Sequence, residues 1–282
     1  MGERISNSLR LARASWEVLR ADRELVIFPI VSAIAAAILV ALFAIPLWAV
    51  GFFDNIEESG SPGAASYVVL FLFYVVLYTI INFCNAALVG AALVRLRGGD
   101  PTAADGFRLA VRRLGPIVGY ALIGATVGVV LQAIRERSGL LGNIIAGLIG
   151  MAWGLVTYLV VPVLVVEEIG PVESIKRSAA LFRRTWGEQV IGNVGIGLVI
   201  GLVTFGAIMA GVVLVAIAAA IGGIVLAIIA GVPVVLAIAA IISVGAALKG
   251  IYTAALYRFA ADDATSTFFP DDLIRNAFVP KS

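Results

Sequence analysis

The sequence predicts an all-α fold, a polytopic transmembrane helical bundle of about six spans in a single transmembrane domain. Of its 282 residues, 61% are hydrophobic and 13% are charged, and the mean hydropathy is +1.07. Water-soluble domains carry about 25% charged residues, so this chain has too few polar side chains to cover its apolar ones in water. Its apolar blocks also exceed the roughly 20 residues that one spanning helix needs.

The apolar blocks give the order of the elements. An amphipathic segment over residues 1–23 comes first, and a polar tail over 249–282 comes last. The predicted spans are 25–52, 67–94, 116–134, 141–166, 190–218 and 224–248. The last two are divided at Gly222-Gly223, and a further break at Gly231 and Pro233 would make three short spans in place of two.

Three basic segments separate the predicted hairpins, and each is expected to form an interfacial helix. In the first, Ile5, Leu9, Ala12, Trp16 and Leu19 fall on one stripe of a helical wheel. The segment 95–115 begins with the helix breaker Gly98-Gly99-Asp100-Pro101, after which Thr102 or Asp105 can cap a new helix. In the third, Val172, Ile175, Ala179, Phe182 and Trp186 share a face.

The basic residues predict the orientation of the chain. Eighteen of the 20 Lys and Arg residues lie in residues 1–24, 95–115, 172–188 and 249–282, whereas Arg135 and Arg137 lie on the other side of the predicted topology. Lys and Arg near span ends favour the cytoplasm. We therefore expect a multi-pass protein of the cytoplasmic membrane with both termini in the cytoplasm.

The three basic segments share a short pattern of a small, a hydrophobic and a basic residue. It reads Ser8-Leu9-Arg10, Gly106-Phe107-Arg108 and Ser174-Ile175-Lys176. Three repeated units of a helix followed by a hairpin would explain it, since membrane proteins often contain internal repeats. Chance recurrence of a three-residue pattern is the alternative.

Polar residues inside the predicted spans are candidates for an intramembrane site. Tyr78, Asn82 and Asn85 form a stripe on the second span, and Lys249 interrupts the last apolar run. The stripe indicates either a substrate path or ordinary hydrogen bonding between helices. Lys249 either lines a cavity or extends its amine to the cytoplasmic interface.

Several other features have a structural interpretation beside a functional one. Glu167 and Glu168 end the fourth span. They indicate either a carboxylate that couples to protons or a stop signal at the membrane interface. The paired acids Asp262-Asp263 and Asp271-Asp272 suggest either a divalent cation site or a solvated tail. Four Gly-x-x-x-Gly motifs indicate close helix packing within the chain or between two copies; they begin at Gly115, Gly124, Gly150 and Gly197.

The residue types that carry most enzyme chemistry are scarce. The chain has no histidine, and its one cysteine, Cys84, lies within an apolar block. Nucleophile, zinc and phosphate-loop motifs are missing from the sequence. We therefore expect no enzyme, no cofactor and no metal, and the net charge of +2 does not suggest a nucleic-acid partner.

Two functions remain open. The first is a non-catalytic membrane module that binds lipid, a second copy of itself in a homo-oligomer, or another membrane protein through its basic segments. Its candidate contacts with anionic lipid are the arginines that lie away from the apolar stripes: Arg10, Arg13, Arg108, Arg112, Arg177, Arg183 and Arg184. The second is a small transporter or lipid-handling permease that uses the intramembrane polar residues.

Two segments also carry a family resemblance. Gly170 to Gly187, with its Gly-Pro-Val-Glu-Ser start and Thr-Trp-Gly end, and Gly98 to Arg113 resemble segments of an uncharacterised prokaryotic family of multi-pass membrane proteins. The resemblance covers essentially the whole chain and implies several spans with cytoplasmic amphipathic elbows. More distantly, the chain is similar to the membrane domain associated with glycerophosphodiester phosphodiesterases, but it has no counterpart of their catalytic barrel.

Overall fold

The computed structural model describes residues 2–49, 64–186, 196–262 and 266–269, and these ranges are helical apart from short connections. No β-strand occurs in them; Ser266 and Phe269 form an isolated bridge. A 3₁₀ turn at Arg23–Val26 links the first two helices. The helices, numbered in chain order, are α1 (Gly2–Ala21), α2 (Ile27–Ala49), α3 (Ala64–Leu96), α4 (Ala103–Arg112), α5 (Leu114–Val156), α6 (Val160–Val166), α7 (Pro171–Trp186) and α8 (Ile196–Asp262).

Five helical segments in the described part of the chain are long and apolar enough to cross a membrane. They are Arg23–Ala49, Tyr67–Leu96, Leu114–Arg135, Leu141–Val166 and Ile200–Asp262. The predicted all-α, polytopic membrane class is thereby confirmed. The first four agree with the predicted spans to within a few residues, except that residues 50–52 of the first lie outside the described ranges.

The helices α2 and α3 form hairpin 1. The rings of Phe43 and Phe73 meet edge to face with centroids 5.3 Å apart, and the side chains of Ser32 and Cys84 are hydrogen-bonding neighbours. In both pairs the residue numbers have the same sum, which is the register of two antiparallel helices joined near residue 58. The joining residues themselves lie outside the described ranges.

The helices α5 and α6 form hairpin 2. The first arm, the turn and most of the second arm belong to α5, and α6 completes the second arm. A methyl group built on Gly150 would lie 3.8 Å from Cδ1 of Leu131, a residue 19 positions earlier. A straight helix would separate two such residues by roughly 28 Å, since it rises 1.5 Å per residue. The chain therefore reverses direction between Leu131 and Gly150, as the short polar turn at 135–139 predicts.

The second arm of hairpin 2 is interrupted between α5 and α6, at Thr157–Leu159. Pro162 follows shortly after, and a proline removes one N–H from the helical hydrogen-bond ladder. The N–H of Leu159 instead donates to Oγ of Ser178 on α7, at 3.0 Å. The break in this span is therefore closed by a side chain from another helix.

The long element α8 is itself a hairpin, hairpin 3. Its backbone leaves helical geometry at Gly222 and Gly223, and Gly223 has a φ of +63°, which favours glycine. A methyl group on Gly211 would lie 2.4 Å from Val234, and one on Gly245 would lie 2.5 Å from Ile200. The predicted break at Gly222-Gly223 is confirmed, whereas the helix continues through Pro233 without non-helical angles.

The described residues group into two compact units. The first draws on the ranges 1–30, 92–100 and 186–282, and therefore holds α1, the end of α3 and hairpin 3. In this unit α1 packs against α8. The second draws on 31–91 and 101–185, and holds most of hairpin 1, α4, hairpin 2 and α7.

Candidate functional site

The sequence around α4 stops one helix and starts another within a few residues. Gly98, at a φ of +89°, follows the end of α3, and Thr102 caps α4. The Thr102 hydroxyl accepts a hydrogen bond from the N–H of Asp105, and the Asp105 carboxylate accepts one from the N–H of Thr102, as in a capping box. These bonds from Thr102 lower the pKa of Asp105. The predicted helix start at Thr102 is thereby confirmed.

One face of α4 is buried and the other is basic. Gly106 and Ala110, four residues apart, are fully buried, while Arg108 and Arg112 are exposed. Arg108 also lies 3.3 Å from the carboxylate of Asp105. Because the buried positions are small, the helix lies close to the residues beneath it and directs its arginines outward.

The helix α7 has the same arrangement. It starts at Pro171, a favoured first residue of a helix. Its buried residues are Ser174, Ser178, Leu181 and Phe182. Val172, which the sequence places on the apolar face, is exposed. The protein-facing side is thus shifted from the predicted stripe toward two serines, one of which bonds to the break in hairpin 2.

Two ion pairs connect the end of hairpin 2 to the short helices of the second unit. Nε of Arg177 lies 3.0 and 2.9 Å from the two carboxylate oxygens of Glu167, and Nη2 of Arg113 lies 2.8 Å from Glu168. Glu168 has a φ of +56°, which is unusual for a residue other than glycine. Both acids that end the fourth span thus pair with arginines, which supports their interpretation as an interfacial stop.

The helix α4 and the start of α7 lie at the same end of the second unit. Methyl groups added at Gly90 and Gly119 would contact Leu109, Val165 and Pro171 within 3.4 Å. The end of α3, the helix α4, the end of α6 and the start of α7 therefore meet there. Arg183 and Arg184 lie in the last turn of α7 and are exposed, a position where cations interact favourably with the helix dipole.

In the first unit, the buried face of α1 overlaps the predicted stripe only in part. Leu11, Ser15 and Val18 are buried together with Leu19 of the stripe, whereas Leu9 and Trp16 of the stripe are 50% and 44% exposed. Arg10 and Arg13 are exposed as well. The helix therefore has an apolar flank that the protein leaves uncovered, next to its basic side.

Hydrogen bonds and an ion pair stabilise the end of α1 and the end of α3 within the first unit. Arg95 at the end of α3 donates to the carbonyl of Ala21 at 2.8 Å and pairs with Asp100 at 2.7 Å. Asp22 is buried nearby, and this burial raises its pKa although the charge of Arg95 opposes the shift. Arg258, near the end of α8, donates to the carbonyl of Leu96.

The predicted intramembrane polar residues do not all belong to one unit. Tyr78, Asn82 and Asn85 lie in the second unit and Lys249 lies in the first. Asn82 is buried and donates from Nδ2 to the carbonyl of Tyr78, 2.8 Å away in its own helix. Asn85 is half-buried, and both Tyr78 and Lys249 are exposed.

Two further polar residues belong beside Tyr78. The hydroxyl of Tyr120 in hairpin 2 interacts with the side chain of Thr157, and Tyr78 lies close enough to influence Tyr120 electrostatically. Thr157 also donates to the carbonyl of Trp153 at 2.7 Å. Sequence reasoning missed this pair because the two residues lie far apart along the chain and each is common in spans.

The alternative of a cation site at the paired acids falls mostly outside the described residues. No group of three or more metal-ligating side chains occurs among them. Of the paired acids, Asp262 ends α8, while Asp263, Asp271 and Asp272 lie outside the described ranges. The glycine motifs act inside the chain at three positions, since Gly119, Gly124 and Gly150 each lie near another element.

These features define a polytopic α-helical membrane protein built from helical hairpins and short helices. A family model described as "Family of unknown function (DUF6159)" matches residues 64–268, which is more than half of the chain. The chain therefore belongs to this family. The expected membership in a family of unknown function is confirmed. No curated protein matches the chain, and no finding links it to the membrane domain of the phosphodiesterases.

Proposed function

We propose that this chain is a non-catalytic module of the cytoplasmic membrane, with both termini in the cytoplasm, that binds anionic lipid through α1, α4 and α7. The observation that carries the proposal is the placement of α4 and the start of α7 at one end of the second unit. Both bury small or apolar residues and leave arginines outside.

Charge and position together support lipid as the partner. Arg108 and Arg112 are exposed on α4, and Arg183 is exposed on α7. Arg10 and Arg13 are exposed on α1 beside its uncovered apolar flank. A basic residue near an anionic bilayer surface contributes roughly 1 kcal/mol. An exposed Trp16 in such a helix suits the boundary between headgroups and acyl chains.

The hydrogen bonds of the spans favour this function over transport. Asn82, Thr79, Thr126, Thr204 and Ser243 each donate to the carbonyl four residues earlier in their own helix. Polar groups satisfied in this way contribute little to a shared midplane cavity, which is the arrangement expected of a transporter.

The test is hydrogen exchange of α7 in vesicles. The full chain is reconstituted into pure phosphatidylcholine and into phosphatidylcholine with phosphatidylglycerol. We expect the backbone amides of residues 172–186 to be better protected in the anionic vesicles. The variant Arg183→Glu/Arg184→Glu should lose this difference, because two arginines together contribute roughly 2 kcal/mol.

The matched control is Arg183→Lys/Arg184→Lys, which keeps both charges and should keep the difference in protection. Equal protection of the wild-type helix in both kinds of vesicle would refute the lipid-binding function. The search would then turn to a protein partner for the same arginines.

A further inference from the structure

A cleft of about 390 Å³ runs between the two arms of hairpin 2. Thr126, Val130 and Leu131 line it from the first arm, and Ala152, Trp153 and Val156 line it from the second. The arms are in ordinary contact at Leu131 and Gly150. Because the side chain of Ala152 is small, space remains beside this contact. The larger side chains that line the cleft surround that space.

The cleft offers no hydrogen bond to an occupant. Its wall is apolar, and the hydroxyl of Thr126 is used by the carbonyl of Leu122 at 2.8 Å. Water needs two to four polar partners in a buried site. An apolar occupant is therefore the one that this wall suits.

The size of the cleft indicates what kind of apolar occupant fits. From Thr126 to Ile134 the first arm rises about 12 Å, at 1.5 Å per residue. A volume of 390 Å³ over this length corresponds to a cross-section of about 30 Å². A single hydrocarbon chain is thin enough to lie along a groove of this cross-section.

The position of the cleft fits one leaflet. Its length of about 12 Å is close to half of a hydrocarbon core of about 30 Å. It lies toward the turn of hairpin 2, away from α4 and from the start of α7. The membrane-spanning segment that forms its first arm ends at Arg135, directly after the lining residue Ile134, and Arg135 is exposed.

We propose that the cleft binds one acyl chain of an anionic phospholipid whose headgroup lies against Arg135. The hydrocarbon chain lies along the apolar wall of the cleft. The guanidinium of Arg135 pairs with the phosphate of the headgroup at the membrane depth where the cleft ends. This site does not include the arginines of α4 and α7, so its test is independent of the test of the function proposed above.

Trp153 provides the measurement, because bromine atoms on an acyl chain quench a tryptophan that they approach. A variant of the full chain with Trp16, Trp48 and Trp186 changed to Phe keeps Trp153 as the fluorophore. It is reconstituted into vesicles of mixed lipid in which either phosphatidylglycerol or phosphatidylcholine carries brominated chains. We expect brominated phosphatidylglycerol to bind about fivefold more strongly, the preference that one basic residue near the surface supplies.

Two pairs of variants separate the site from ordinary lipid contact. Arg135→Gln should abolish the preference for phosphatidylglycerol, while Arg97→Gln, which removes an arginine elsewhere, should keep it. Ala152→Phe should fill the cleft and reduce quenching in both lipids. Met151→Phe adds the same ring at an exposed neighbour outside the cleft, and should leave quenching unchanged.

Equal quenching by the two brominated lipids in the parent protein would overturn the proposal, and so would quenching that Ala152→Phe does not reduce. If the single-tryptophan variant fails to fold, the wild-type chain is photocrosslinked with phosphatidylglycerol that carries a diazirine on its acyl chain. Labelled peptides should then contain residues 126–134 or 149–156. Crosslinks spread evenly over the apolar spans would refute the site.

Discussion

At the scale of single residues, Ser178 shows how a short helix can stabilise a span that it does not belong to. Its hydroxyl accepts the N–H of Leu159, which the break between α5 and α6 removes from the helical ladder. Both groups are buried. A buried backbone N–H without a partner costs about 1–3 kcal/mol, so α7 contributes to the integrity of hairpin 2 as well as carrying arginines.

We expect Ser178→Ala to lower the free energy of unfolding by about 1–3 kcal/mol, because it leaves the N–H of Leu159 without its acceptor. Ser174→Ala is the matched control. The Ser174 hydroxyl bonds to the carbonyl of Gly170, which also accepts the N–H of residue 174 and so stays satisfied. Thermal unfolding in nanodiscs compares the two variants, and equal losses of stability would contradict the assigned role of Ser178.

At the scale of elements, hairpin 3 depends on two glycines that let its arms approach. Gly211 and Gly245 are buried and face Val234 and Ile200 at distances that leave no room for a methyl group. Most large apolar side chains between Leu202 and Ile242 are exposed. Such a surface suits lipid, so close packing between the arms has a large part in holding the hairpin together.

Gly211→Ala should therefore destabilise the protein by about 1–3 kcal/mol, the usual cost of overpacking. The added methyl group would lie 2.4 Å from Cγ1 of Val234, and a β-branched side chain in a helix has few other rotamers. Gly206→Ala makes the same change at a position where no described residue lies within 4 Å. It should be neutral or stabilising by up to about 1 kcal/mol. Denaturation in detergent measures both, and a stable Gly211→Ala variant would show that the arms can separate.

At the scale of the whole molecule, the features that could be predicted are those set by local sequence. The spans follow from the lengths of apolar blocks, the capping box follows from Thr102 and Asp105 three residues apart, and the break at Gly222-Gly223 follows from backbone freedom. Each depends on neighbours within one or two turns. A single sequence contains this information directly.

The features that could not be predicted depend on how helices face one another. The periodic stripe of α1 includes Leu9 and Trp16, yet the protein buries Leu11 and Val18. A helix with a wide apolar surface has several faces that can be buried, and its sequence does not rank them. The bond from Leu159 to Ser178 spans 19 residues, and with 30 glycines in the chain no motif singles out Gly211.

The turn of hairpin 3 also bears on the topology of the chain. A hairpin with two membrane-crossing arms returns the tail to the side from which it entered, whereas three short spans would place the tail on the opposite side. Antiparallel contacts between the arms, at Gly211 with Val234 and at Gly245 with Ile200, favour two arms. The distribution of Lys and Arg independently favours a cytoplasmic tail.

We therefore expect single cysteines, introduced into a Cys84→Ser variant, to label in two patterns with a membrane-impermeant maleimide. Ser61→Cys and Ser138→Cys should react in intact cells, because they lie in two of the three loops that the predicted topology places outside. Ser8→Cys and Ser282→Cys should react only after the membrane is permeabilised. Labelling of Ser282→Cys in intact cells, with Ser8→Cys still protected, would mean an odd number of crossings and would contradict a two-armed hairpin 3. Reversal of all four patterns would instead keep the hairpins and move α4 and α7 to the outer surface. The lipid that their arginines contact would then have to be sought in the other leaflet.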